Sequence, residues 1–255
     1  MSRVSLTTAQ NLASVRNTGV THLPWMSKPV PHWQPGVLTQ AALLIVVEKF
    51  ADIARKDGKT PYLSHLLAVS ALVMEHGGSE EQTAAGLLHD IIEDVNIQPA
   101  DLTKHIVETA AKLQNDPPLD CAIAQRVVQM VEANTDGTAS LKRDQSSWRK
   151  RKENYIAALS AKPRGDTALL VSLADKAHNA EATLAQVRRG QKASDIYKSP
   201  PFNAGPADQK WYYSRLVDVF RDKFADDSDA APLVRRLQSA VHEIFVDVGT
   251  GPNSA

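Results

Sequence analysis

From Leu38 to Val246 the apolar residues recur at threes and fours with few breaks, the spacing that lines one face of an α-helix. Val and Ile are frequent, yet period-two alternation never lasts a strand length and no Asn-Gly turn occurs, so the pattern offers nothing for a sheet. The spacing predicts an all-α helical bundle with helices over 38–56, 62–76, 79 to about 95, 102–113, 119–132, 148–161, 166–189, 207–225 and 231–246. Asp57-Gly58 stops the first and Gly77-Gly78 the second, as glycine just past a helix end should. Ser79 caps the third, with Glu81 and Gln82 in its first turns.

The two ends are of another kind. Residues 1–36 hold Pro24, Pro29, Pro31 and Pro35, which no helix sustains, with Trp25 and Trp33 as the large anchors. They read as an extended arm before a domain over 37–248, and 249–255 as a fraying tail. Two loops, 135–147 and 190–205, are longer than ordinary connections and so candidates for function.

Composition narrows the function classes. Lys+Arg and Asp+Glu are both 29, which leaves no basic excess for general nucleic-acid binding. The longest apolar run, Ala41 to Val47, is far short of a membrane span. One cysteine, Cys121, excludes a disulfide framework and a zinc ribbon. No secretory leader is evident, and a reducing, cytoplasmic setting is the expectation.

The stretch richest in chemistry is Gly86-Leu87-Leu88-His89-Asp90-Ile91-Ile92-Glu93-Asp94. On a helix Glu93 lies one turn beyond His89 and Asp90, and Asp94 one turn beyond Asp90. Three carboxylates near a helix C-terminus repel one another and the dipole unless a cation sits among them; a solvated acidic helix end is the plain alternative. His65 opens another apolar helix, a place where a hydrogen-bonded core histidine is commoner than a ligand. In Leu169 to Asn179 an apolar run leads straight into Asp175, and Asn179 follows on the same side. A buried Asp there is costly unless paired or metal-bound. Lys176 is the adjacent cation, but its position points about a hundred degrees away.

The order His65, His89-Asp90, Asp175 resembles the ligand set of the HD-domain metal-dependent phosphohydrolases. The fuller pattern is narrower. Arg55-Lys56-Asp57-Gly58-Lys59-Thr60-Pro61-Tyr62 with His65, then His89 to Asp94, then Leu173-Ala174-Asp175-Lys176-Ala177-His178-Asn179, are similar to the RKxGxPYxxH, HDxxED and LADxxHN motifs of the RelA/SpoT-type alarmone hydrolase domain, in its order. The domain takes residues to about 246 and leaves no length for a following synthetase, so the chain resembles the stand-alone small alarmone hydrolases. Ala180-Glu181-Ala182-Thr183 departs from the Met-Arg-Thr that often follows in the long enzymes, so the resemblance does not specify the substrate pocket on that side.

Two imidazoles and two carboxylates suit Mn²⁺, Fe²⁺ or Zn²⁺ rather than Ca²⁺. The resemblance implies one Mn²⁺ held by His65, His89, Asp90 and Asp175, with Glu93 as general base or water-orienting group and Asp94 as its partner. It implies a purine nucleotide carrying 3′- and 5′-pyrophosphates, with Arg55, Lys56 and Asn179 as substrate contacts. Arg149 and Lys152 in the basic run 148–152, and Lys210 and Tyr213 in 210–213, are expected to add phosphate contacts, against solvated-face and core alternatives. The implied reaction is (p)ppGpp 3′-pyrophosphohydrolysis to GDP or GTP. The motifs do not choose guanine over adenine, which leaves (p)ppApp or another nucleotide open. A non-catalytic nucleotide sensor or toxin-neutralising partner is the reading from another class, and the intact ligand set and Glu-Asp pair argue against it.

Overall fold

The computed structural model describes residues 36–113, 117–135, 147–198 and 202–248. The expected arm, apart from Gly36, the tail, and residues 136–146 of the first long loop lie outside the described residues. Among the described residues there are eleven helices and no strand. They are α1 (Val37–Lys49), α2 (Leu63–Glu75), α3 (Glu80–Leu88), α4 (Ile91–Asp94), α5 (Pro99–Leu113), α6 (Cys121–Asn134), α7 (Trp148–Ala161), α8 (Ala168–Val187), α9 (Ala193–Ile196), α10 (Pro206–Lys223) and α11 (Ala231–Ile244). The all-α expectation holds, and α9 is a short helix inside the second long loop.

α8 is the axis of the bundle. Leu169, Val171, Leu173, Ala174, Ala177 and Ala180 are all at or below 1% exposure, the all-round burial of a central helix. α2, α3, α6 and α11 pack against it. α2 and α3 meet closely because Gly86 has no Cβ, which would stand 3.2 Å from the Cα of Ser70. α2 ends in a Schellman motif: Gly77 takes φ +80°, and the Gly78 amide donates to the Val73 carbonyl at 2.9 Å. Ser79 caps α3 in a complete capping box with Gln82, as its sequence signature requires.

Two helices end well before their apolar spacing predicts. α1 stops at Lys49, not at residue 56. The chain after it folds back on itself: Arg55 and Thr60 share a 2.8 Å backbone bond, as do Tyr62 and Ile53, around an isolated bridge between Ala54 and Pro61. Asp57 drives this turn. Its Oδ1 accepts from the amides of Lys59 and Thr60, each at 2.9 Å, and its Oδ2 from the Thr60 hydroxyl at 2.6 Å. These local bonds outcompete the helix. The helix expected from Ser79 to about 95 breaks after Leu88 and resumes as α4. The His89 ring explains the break, because its Nδ1 donates at 2.8 Å to the Gly86 carbonyl, the acceptor that a continuous helix would give to the Asp90 amide.

Candidate active site

The break at His89-Asp90 faces the first turn of α2 and the middle of α8, and there the ionisable side chains converge. The Nε2 atoms of His65 and His89 are 3.2 Å apart. Asp175 Oδ1 lies 3.2 Å from His65 Nε2 and 3.6 Å from His89 Nε2. Asp90 Oδ2 lies 3.0 Å from His89 Nε2 and 3.5 Å from His65 Nε2. His65, His89 and Asp175 are all buried, with donor atoms close enough to hold one metal ion.

The far nitrogens of both rings decide what the near ones present. With His89 Nδ1 donating to Gly86, a neutral ring turns the Nε2 lone pair into the cluster. His65 Nδ1 meets His178 Nδ1 at 2.8 Å, so one of these two nitrogens carries the shared proton. Burial, then the charges of His65 and Arg55, push His178 down to about 4, which keeps it neutral near pH 7. Once His65 gives up its second proton and keeps only the one on Nδ1, donated to His178, its Nε2 lone pair faces inward as well. Two lone pairs and two carboxylates around one point need a cation between them, and the mixed nitrogen-oxygen set fits a divalent transition metal. Protons compete for that place. Burial alone would lower His89, but Asp90 and Asp175 outweigh it and raise it well above the usual imidazole range. Burial likewise opposes both carboxylates; His89 holds Asp90 low, and Lys176 first and then the two imidazoles hold Asp175 low.

The support around these groups is dense. Tyr62, one helical turn before His65, donates its hydroxyl to Asp90 Oδ2 at 2.6 Å. Burial first and then Asp90 and Asp94 push that phenol far above its ordinary range. Asn179 Nδ2 donates to Asp175 Oδ1 at 2.5 Å, while its Oδ1 accepts from the Arg55 guanidinium at 2.8 Å. Arg55 on the Asp57 turn and Asn179 on α8 thus form one hydrogen-bonded bridge to a cluster carboxylate. Lys56, exposed on the same turn, lies with its ammonium 4.4 Å from the Phe202 ring centroid. Glu93 is buried on α4 and Asp94 beside it is exposed.

Lys176 corrects the sequence reading. Its position does point away from Asp175, but the long side chain curls back, and Nζ donates to Asp175 Oδ2 at 2.5 Å. It is 14% exposed and lies 5.0 Å from the Tyr155 ring, whose hydroxyl bonds Ser172 at 2.6 Å. Burial opposes its charge, and Asp175 overrides that and raises it well above the usual lysine range. Tyr62, Lys176 and His178 all stand inside the recognised motifs, yet spacing alone gave them no role. Tyr62 could have been placed from its i, i+3 relation to His65; no sequence signal points to the Lys176 bond.

The four outlying candidates sit differently. Arg149 stacks 3.3 Å from the Trp211 centroid and pairs with Glu153 at 3.2 Å and Asp208 at 3.3 Å. Lys210 donates to the Val248 carbonyl. Lys152 lies 4.8 Å from the Tyr212 ring, on which Lys176 also acts. Tyr213 is buried against Tyr212 and Phe245; burial raises its phenol, and the charges of Lys176, Asp175 and Arg55 reach it.

Several known proteins resemble this chain. A probable guanosine-3′,5′-bis(diphosphate) 3′-pyrophosphohydrolase of Synechocystis sp. is 25% identical over 236 residues, 86% of this chain and 27% of that protein. A GTP pyrophosphokinase of Myxococcus xanthus is 29% identical over 177 residues, 65% of this chain and 20% of that protein. The chain therefore spans about a quarter of the length of these curated relatives. A solved structure of a metazoan orthologue of SpoT, described as hydrolysing ppGpp and acting in starvation responses, matches with a TM-score of 0.56 at 22% identity, covering 86% of this chain and 99% of that one. That likeness is one of fold. The HD domain family model matches residues 42–199, a span that holds His65, His89-Asp90, Glu93-Asp94 and Asp175, and the chain belongs to the HD domain family.

Proposed function

We propose that this chain is a metal-dependent phosphohydrolase that removes the 3′-pyrophosphate of (p)ppGpp, leaving GDP or GTP, with Mn²⁺ as its metal. The observation that carries the reading is the convergence of His65, His89, Asp90 and Asp175 on one point beside the Arg55–Asn179 bridge. The name of the Synechocystis relative states the same reaction for that protein.

The four convergent side chains would hold the metal, which when bound supplies Lewis-acid polarisation and a lowered water pKa. Glu93, buried within one turn of the ligands, would orient the attacking water and take its proton, with Asp94 as its partner. The water oxygen joins the 3′-linked phosphorus, the bond from that phosphorus to the ribose 3′-oxygen breaks, and the oxygen leaves as a hydroxyl by taking up, through solvent, the proton that Glu93 removed from the water. Arg55 and Lys56 on the Asp57 turn would hold base and phosphates, since a guanidinium both stacks on a purine and bonds phosphate. Asn179 would face the ribose. Lys152 and Tyr213, grouped with Tyr212 and Lys176, would line the outer phosphates. Arg149 and Lys210, already bonded to their own neighbours, would act there only by exchanging those bonds.

The test is parallel incubation of the purified chain and Mn²⁺ with ppGpp, ppApp, dGTP and GMP, with products identified. Intact pyrophosphate and GDP from ppGpp are expected, with no GMP. Orthophosphate as the first product, or plain GTP cleaved as fast as ppGpp, would move the chain to another HD nucleotidase activity. Preferred cleavage of ppApp would reassign the base.

A further inference from the structure

Behind the face of α8 that carries Asp175 and Asn179, the helix turns a second face toward α11. Glu181, Leu184 and Arg188 lie roughly half a turn round from Asp175 at about 100° per residue. Together with Pro232, Arg235, Arg236 and Ala240 of α11 they line a groove of about 890 Å³. That is the size of a small-molecule pocket, for which roughly 300–1,000 Å³ is usual.

The charge in this groove is lopsided. Four arginines line it against the single acid Glu181, in a chain with 29 basic and 29 acidic residues. Two of the four are held. Arg188 forms a two-pronged pair with Glu243 at 2.8 Å on both arms, and Arg236 forms one with Glu181 at 2.8 and 3.0 Å. The side chains of the other two, Arg189 and Arg235, make no ion pair or hydrogen bond among the described residues. Arg189 sits past the C-terminal end of α8, where a cation offsets the helix dipole. Arg235 has no such reason. It is in the second turn of α11, far from the C-terminal carbonyls that would stabilise a cation. Between the charges, Leu184 and Ala240 form a buried apolar floor with Pro232 beside it.

We infer that this groove is a second binding site, distinct from the metal cluster, for a phosphorylated ligand of nucleotide size. Arg189 and Arg235 take the phosphates through their forked donors. The two fixed pairs hold the rim, and the apolar floor takes the nucleoside. The inference does not rest on the proposed hydrolysis, because it concerns residues outside that machinery and stands whichever nucleotide the metal site cleaves.

Calorimetric titration of the full chain with GDP, and separately with inorganic pyrophosphate, tests it. GDP should bind the wild-type protein at the groove, and at a second class of site where the metal cluster also takes it. The groove site should weaken about 100-fold in Arg189→Ala/Arg235→Ala, as loss of two charge-assisted contacts implies; the other should weaken in Arg55→Ala. Both groove arginines are exposed, so the double variant should melt like the wild type, and Arg189→Lys/Arg235→Lys should keep part of the binding. GDP binding that the double alanine variant leaves undiminished, in one class of site or two, overturns the inference, whereas loss of only the class that Arg55→Ala weakens speaks to the metal site alone. Pyrophosphate binding the groove as tightly as GDP overturns the role given to the apolar floor.

Discussion

Lys176 Nζ and Asp175 Oδ2 are 2.5 Å apart, and this bond between adjacent residues divides the labour of one carboxylate. Oδ2 belongs to the lysine, which leaves Oδ1 for the histidines and Asn179. Asp175 is therefore set up to offer a metal one oxygen. Lys176→Met should weaken metal affinity about 10- to 100-fold, the usual effect of losing a group that orients a ligand. The metal-free variant should also lose about 1.5–3 kcal/mol, because the buried carboxylate keeps Asn179 and the imidazoles but loses one charged hydrogen-bond partner. Lys176→Arg should recover part of both. Direct metal titration and melting with and without metal check this; a Lys176→Met protein with wild-type metal affinity would reduce the bond to packing.

Chelation should abolish turnover and Mn²⁺ should restore it best, since the deprotonated donor set must be filled to act. Asp175→Ala should purify without stoichiometric metal. Elemental analysis of that variant decides the matter, and a full complement of Mn²⁺ would remove Asp175 from the ligand set.

Glu93→Gln should fold and keep its metal yet lose on the order of 10² to 10⁴ in turnover, since the amide keeps the shape but accepts no proton. Single-turnover rates on metal-loaded protein measure this. Unchanged rates would place the base elsewhere.

Arg55→Ala should raise KM on the order of tenfold or more, as loss of a charged hydrogen-bonding group implies, with a smaller change in kcat and no change in metal content. The Arg55–Asn179 bond should break with it. A fall in kcat alone would show that Arg55 acts at the transition state rather than in substrate capture.

The Asp57 turn carries a pH signature. Hydrogen bonds from the Thr60 hydroxyl and amide and then the Lys59 amide lower its carboxyl from 3.8 to about 2. A depressed carboxylate stabilises the fold above its unfolded pKa, and that contribution is lost as pH falls through the folded value. The turn should thus keep its order at pH 5 and lose it between about pH 4 and 2. The Lys59 and Thr60 amide shifts, followed by NMR, should titrate near 2; a midpoint near 3.8 would mean that the turn bonds are not formed in solution.

The local code of the chain was enough to specify helices and most of their ends. Apolar spacing is a property of consecutive residues, and caps such as Ser79–Gln82 and Gly77-Gly78 act within one turn, so both can be read without knowing the fold. Spacing also singled out His65, His89-Asp90 and Asp175 as polar groups in apolar helices, since burying them needs a reason wherever they end up. Their meeting point was decided only by the packing of α2, α3 and α8, which brings together residues 110 positions apart. Tertiary structure also settled what spacing misread. α1 ends early because Asp57 and the strand-like pairing of 53–55 with 60–62 satisfy the backbone better than another helical turn. The third helix breaks because the His89 ring takes the Gly86 carbonyl. Lys176 reaches Asp175 because a four-carbon side chain is longer than the arc that separates their positions, and a buried carboxylate draws in the nearest cation. Helical periodicity describes where Cβ atoms point; which charges meet is set by burial and side-chain reach, and those exist only once the helices have packed.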